Sequence, residues 1–171
     1  MRYMTFAAID VGSNDISMKI FEVTQKNGFR ELDFVSNMIE LGSDTYKNGI
    51  IKNETIDELC SILMRFKTKM QEYKVREYRA YATSAIREAS NCQIILDRIK
   101  LETEIDVKVL SNSEHRFMMY KGLAAKYDNY KEIIEKNTAL VDIGAGSVQI
   151  SIFDKGTLSL TQNIPIGAVR V

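Results

Sequence analysis

The chain has 171 residues, 45% hydrophobic and 27% charged, enough for one globular domain or one and a fraction. Lys plus Arg and Asp plus Glu each number 23, and zero net charge argues against broad, non-specific nucleic-acid binding. No apolar run reaches membrane-spanning length, and the N-terminus, MRYMTFAAID, enters a strand without a signal-peptide core. Cys60 and Cys92 are far apart and lie within helical patterns, so they read as buried free thiols in a reducing compartment. The expectation is a cytoplasmic protein with neither a nucleic-acid nor a membrane partner.

Thr5 to Ile9 is a short apolar strand ending on Asp10, Gly12-Ser13-Asn14-Asp15 is a turn, and Ile16 to Val23 is the return strand. Asn27-Gly28 signals a second hairpin leading to a strand from Phe29 to Leu41, with an irregularity near Ser36-Asn37. Gly42 to Gly49 reads as a polar loop. Asn53 is expected to cap a helix carrying Ile56, Leu59, Leu63, Phe66 and Met70 at helical spacing. Arg79 to Ala82 is a fourth strand, followed by Thr83-Ser84 and Ala85-Ile86-Arg87-Glu88. Asn91 is expected to cap a second helix, and Asp106 to Leu110 is a fifth strand. Ser111 and Glu114 fit a capping box at the start of a third helix. Asn129 to Asn137 is a helical turn or a linker. A second meander follows: Ala139 to Asp142, Val148 to Phe153, a turn at Asp154-Lys155-Gly156, and Leu158 to Ile164.

The order is therefore β-β-β-α-β-α-β-α, then β-β-β. The first eight elements can close an α/β unit over residues 1–130. The last three, with their linker at 131–171, form a two-faced sheet with no helix left to cover it, and a three-stranded sheet needs something on its face. Either a second unit continues past Val171, or the meander packs on the first unit or on another chain as a homodimer.

One stretch repeats. Asp10 to Phe21, DVGSNDISMKIF, recurs as Asp142 to Phe153, DIGAGSVQISIF, at a constant offset of 132, which marks two copies of one hairpin. In each, an apolar strand ends on Asp and a glycine-bearing turn follows. Glycine lets backbone N–H groups converge on an anion, and an Asp at the strand end can hold a hard cation beside it. Asp-x-Gly between strands is also an ordinary tight hairpin. In the second copy Val148, Ile150 and Ile152 alternate with Gln149 and Ser151, the pattern of a half-buried strand.

The chain resembles the exopolyphosphatase / guanosine pentaphosphate phosphohydrolase (Ppx/GppA) family of the actin-like ATPase superfamily. Four segments carry the likeness: Ala8 to Asn14, Ala82 to Ala89, Val141 to Ser147 and Ile164 to Arg170. The resemblance implies an actin-like, ribonuclease H-like α/β domain followed by the first meander of a second, with the active site in the cleft between two such halves. It implies release of terminal phosphate from inorganic polyphosphate or guanosine pentaphosphate, with Mg²⁺ and an activated water. Residue by residue, it makes Gly12, Ser13, Asn14, Arg87, Gly144, Ala145, Gly146 and Ser147 phosphate-binding, Asp10 and Asp142 metal-binding, and Glu114 catalytic.

The departures matter. Where the family has consecutive glutamates the chain has Ser113-Glu114-His115, and ungapped counting puts the family's catalytic glutamate on His115, the single histidine. Gln149 stands where a metal-associated glutamate is expected, and Ala145 replaces a glycine. These changes motivate a rival reading, a catalytically lapsed polyphosphate or nucleotide sensor. A third, an actin-like kinase or chaperone ATPase, shares the hairpin logic, but the Ala82–Ala89 signature argues against it.

Overall fold

The structure is a computed structural model that describes residues 3–24 and 28–170. Its backbone contacts divide the chain into two compact units, Met1–Val109 and Leu110–Val171.

In the first unit β1 (Tyr3–Val11), β2 (Asp15–Thr24) and β3 (Gly28–Met38) form an antiparallel meander. After helices α1 (Leu41–Asn48) and α2 (Asn53–Glu72), β4 (Glu77–Ala82) pairs parallel with β1. Helices α3 (Ser84–Glu88) and α4 (Cys92–Thr103) lead to β5 (Val107–Val109), parallel to β4. The sheet order is β3-β2-β1-β4-β5. Alternate residues of β1 (Ala7, Ile9, Val11) and β2 (Ile16, Met18, Ile20) point into one core with Ile56, Leu59, Leu63 and Phe66 of α2. The two periods, two along the strands and about 3.6 along the helix, are what bury both stripes.

The second unit holds α5 (Asn112–Lys126), α6 (Tyr130–Glu135) and the antiparallel strands β6 (Thr138–Ile143), β7 (Val148–Asp154) and β8 (Thr157–Ile164). Lys155 and Gly156 both take positive φ, +49° and +79°, in the β7–β8 turn, as a tight hairpin between right-twisted strands demands.

Several expectations are corrected. Gly42 to Gly49 is not a loop: Leu41–Asn48 is helical, and Gly49 ends it in the left-handed region at φ +74°, its N–H donating to the Thr45 carbonyl at 2.8 Å. The β3 irregularity lies at Leu32, where the register against Ile20 and Phe21 slips, not at Ser36-Asn37. Lys52, not Asn53, holds the N-cap position of α2. Asn91 does occupy the N-cap of α4, but its side chain exchanges two hydrogen bonds with the Ile51 backbone instead of capping. Asn27, from the expected Asn27-Gly28 turn, lies outside the described residues. Cys60 is buried and free, its thiol pushed up to about 11 by burial; Cys92 is free but only half-buried.

The second meander, expected to have no helix left to cover it, is covered on one face by α5. Its apolar side is open, with Val141 55% and Ile143 77% exposed. The buried side of β7 carries Gln149, Ser151 and Phe153. Helix α5 lies against that side: the Tyr120 ring meets Phe153 edge-on with centroids 5.4 Å apart. The alternation correctly separates two faces, but which one is covered depends on where α5 docks.

Candidate functional site

The 132-residue repeat is a repeat of structure as well as sequence. In the first hairpin Val11 pairs with Ile16, Asp10 with Ser17 and Phe6 with Phe21; in the second, Ile143 pairs with Val148, Asp142 with Gln149 and Thr138 with Phe153. Every one of these pairs maps onto its counterpart. Both turns close alike, Gly12 N–H to the Asp15 carbonyl and Gly144 N–H to the Ser147 carbonyl, each at 2.9 Å. A Cβ on Gly12 would sit 2.9 Å from the Asp15 carbonyl oxygen, and one on Gly144 would sit 3.3 Å from that of Ser147.

The segment following each meander then takes the carbonyls of each turn. Gly42 N–H donates to the Ser13 carbonyl at 2.7 Å, and Ile39 N–H to that of Asn14 at 3.1 Å. In the second unit Val169 N–H donates to the Ala145 carbonyl at 3.1 Å, and Arg170 Nε to that of Gly146. Gly167 is required in that contact, because a Cβ there would fall on the Ala145 carbonyl. Meanwhile the amides of Ser13, Asn14, Ala145, Gly146 and Ser147 donate to no group among the described residues. Carbonyls taken and amides left over is the polarity an anion needs.

Around the first turn, the ends of β1 and β4 come together, and Thr83 N–H donates to the Val11 carbonyl at 3.2 Å. Ser13 is buried, its hydroxyl 2.9 Å from Tyr46 OH and 3.0 Å from Ser84 Oγ, which are themselves 3.0 Å apart. This triangle ties the turn to α1 and to the start of α3, the short helix that carries half-buried Arg87. Helix α1 is held in turn by buried Asp44, which accepts from Thr55 Oγ1 at 2.6 Å and Lys52 N at 3.2 Å and pairs with Lys52 Nζ at 2.9 Å. Burial acts to raise the Asp44 carboxyl, but the Thr55 and Lys52 hydrogen bonds outweigh it and hold it below the ordinary carboxylate range.

Around the second turn, Asp142, Gln149 and Asn163 stand side by side across the three strands, on the face towards α5. Gln149 is 2% exposed and lies 2.8 Å, amide to Nδ1, from His115 on α5. The two positions where the resemblance expects carboxylates are thus in contact. Glu114 closes the capping box: its carboxylate accepts Ser111 N–H at 2.9 Å while its own N–H donates to Ser111 Oγ at 3.1 Å. Asp10 is exposed at the end of β1, and Asp142 is half-buried near the end of β6.

The sequence reading does not find Tyr46, Ser84, Asp44, Asn163 or Gly167. Only Ser84 and Gly167, inside quoted motif segments, carried any signal; the rest act through packing across elements. As for a metal, no group of three or more His, Cys, Asp or Glu side chains converges among the described residues. Mg²⁺, however, uses one or two carboxylates and fills its other positions with water and substrate phosphate. Asp10 in the first unit and Asp142 in the second are each a carboxylate of the kind such a set uses.

Comparison with known proteins gives a consistent answer. The model of the Ppx/GppA phosphatase family matches residues 20–171. The bifunctional 3-dehydroquinate synthase/phosphatase of Fusobacterium nucleatum is 26% identical over 96% of this chain, which covers 25% of that protein. Exopolyphosphatase 1 of Mycobacterium bovis is 24% identical over 98% of this chain and 48% of its own length. Among solved structures, an exopolyphosphatase from Cytophaga hutchinsonii superposes with a TM-score of 0.82 at 27% identity, over 98% of this chain and 52% of that one. The chain spans about half the length of the exopolyphosphatases it matches, or less.

Proposed function

The chain belongs to the Ppx/GppA phosphatase family, and from that premise we propose that it is a phosphoanhydride hydrolase module releasing terminal phosphate from inorganic polyphosphate or guanosine pentaphosphate. The observation that carries this reading is the matched pair of turns, each with its carbonyls taken and its amides left for an anion. Phosphoryl transfer asks little covalent chemistry of a protein; positioning and charge neutralisation do most of it. The amides of Ser13 and Asn14, and those of Ala145, Gly146 and Ser147, bind phosphoryl oxygens. Arg87 adds a fixed positive charge, and Gly12 and Gly144 let the backbone come close. Asp10 and Asp142 would hold Mg²⁺, which would offset the negative charge on the phosphoryl oxygens. Glu114 or His115 accepts the proton of the attacking water. Water adds to the terminal phosphorus and the bridging P–O bond breaks, leaving orthophosphate and a chain one unit shorter.

The test is orthophosphate release from both substrates, with Mg²⁺ and with a chelator, by wild type and Asp142→Asn. Release that needs Mg²⁺ and falls in the variant supports the proposal. No release above an enzyme-free control from either substrate, at any Mg²⁺ concentration, overturns it. A second reading, a sensor that binds without turnover, is favoured by His115 and Gln149 standing at the positions where carboxylates are expected. It requires tight polyphosphate binding by calorimetry in protein that releases nothing.

A further inference from the structure

The contact between His115 and Gln149 has two chemical forms. A half-turn of the Gln149 amide exchanges Oε1 and Nε2 without changing the space they fill, so the surrounding hydrogen bonds decide between them. With Nε2 towards His115, the amide donates to Nδ1, and Oε1 is buried with no partner. That orphaned oxygen stands in the row between Asp142 and Asn163, and Asn163 Oδ1 is a second buried acceptor without a partner. Directly opposed side chains on neighbouring strands have Cβ atoms only about 5 Å apart. A buried acceptor without a donor is costly, and in this orientation Gln149 Oε1 and Asn163 Oδ1 are both left so. The turned amide removes the conflict. Its N–H donors then take the place of the orphaned oxygen in the row with Asp142 and Asn163, and Oε1 accepts from the ring.

From this we infer that Gln149 Oε1 accepts a hydrogen bond from His115 Nδ1–H, which fixes the ring in that tautomer and leaves the lone pair on Nε2, and that Nε2 takes the proton of the attacking water. The second half rests on the hydrolase reading; the tautomer does not. The step balances: one water proton passes to Nε2 as the water oxygen bonds to terminal phosphorus. The bridging P–O bond breaks with its electron pair on the departing chain, and the imidazolium returns its proton to solvent. His115 is half-buried, so its ring is not sealed from water. Gln149 acts as a positioning residue for it, in the way a carboxylate or carbonyl on one ring nitrogen sets the role of the other.

The single histidine makes the test direct. Nitrogen-15 imidazole correlation spectra of the full chain, at a pH where the ring is neutral, report the tautomer without assignment. Wild type should show Nδ1–H, although an imidazole in water prefers Nε2–H. Gln149→Glu, which keeps an acceptor, should retain Nδ1–H; Gln149→Leu should revert to Nε2–H. His115→Ala should lower orthophosphate release by about 100-fold or more while polyphosphate binding by calorimetry is unchanged. An Nε2–H tautomer in wild type overturns the inference whatever the activity. Retained release in His115→Ala overturns the proton-acceptor role. If wild type shows Nδ1–H and releases nothing, the hydrolase reading and the proton-acceptor role fail together, and the pairing stands.

Discussion

The hydroxyl triangle under the first turn is open to direct measurement. Ser13→Ala removes the bonds of 2.9 Å to Tyr46 and 3.0 Å to Ser84, leaving Tyr46 and Ser84 bonded to each other at 3.0 Å. Each hydrogen bond contributes about 1 kcal/mol net, so Ser13→Ala should destabilise the protein by about 2 kcal/mol, and Ser84→Ala by a similar amount. The Ser13–Ser84 bond is counted in both, so the double variant should cost about 1 kcal/mol less than the two losses added. Urea denaturation followed by circular dichroism gives all three values. Losses that add within about 0.3 kcal/mol would refute the triangle as the turn's anchor. Because the triangle locates the turn without using its amides, Ser13→Ala should also weaken polyphosphate binding.

The two hairpins should respond unequally to the same change: Gly12→Ala forces a Cβ to within 2.9 Å of a backbone oxygen, and Gly144→Ala only to 3.3 Å. The first should lose about 1–3 kcal/mol, the usual cost of overpacking, and the second clearly less; equal losses in urea denaturation would contradict the geometry. Asp44→Asn should cost about 2 kcal/mol at neutral pH, as for a hydrogen-bonded charged group. The folded Asp44 carboxyl is held below its ordinary value, so its contribution is complete above about pH 4, the unfolded value, and drains away as pH falls through the depressed folded value. The gap between wild type and Asp44→Asn should therefore narrow below about pH 4; a gap that is constant down to pH 3 would show that the charge is not what stabilises α1.

Much of the fold was legible because its signals are local. The α2 stripe of Ile56, Leu59, Leu63 and Phe66 needs only a 3.6-residue period. The Ser111–Glu114 box is a pattern of four residues, and the structure makes both of its bonds. The hairpin repeat was legible down to its register, because apolar alternation and turn length set it. Helix α1 was not legible. Leu41–Asn48 has glycine, serine and aspartate where a helix wants alanine or leucine, and it forms because Asp44, Thr45 and Tyr46 find partners on α2 and α3. The buried face of β7 was not legible for a related reason: alternation names two faces, and only the docking of α5 chooses the polar one. The contact of His115 with Gln149 crosses 34 positions, a separation at which single-sequence patterns say nothing.

The two turns differ in side chain at each of the three positions after their first glycine, Ser-Asn-Asp in one and Ala-Gly-Ser in the other. They nevertheless share closure, register and the way downstream residues fasten them. Their shape is therefore written in the main chain, and selection can rewrite the lettering without loosening the hold. On the proposed function, a main-chain hold of this kind would be blind to what a phosphate is attached to. Discrimination between a plain polymer and a nucleotide would then come from residues elsewhere, and selectivity and grip could be engineered as separate properties.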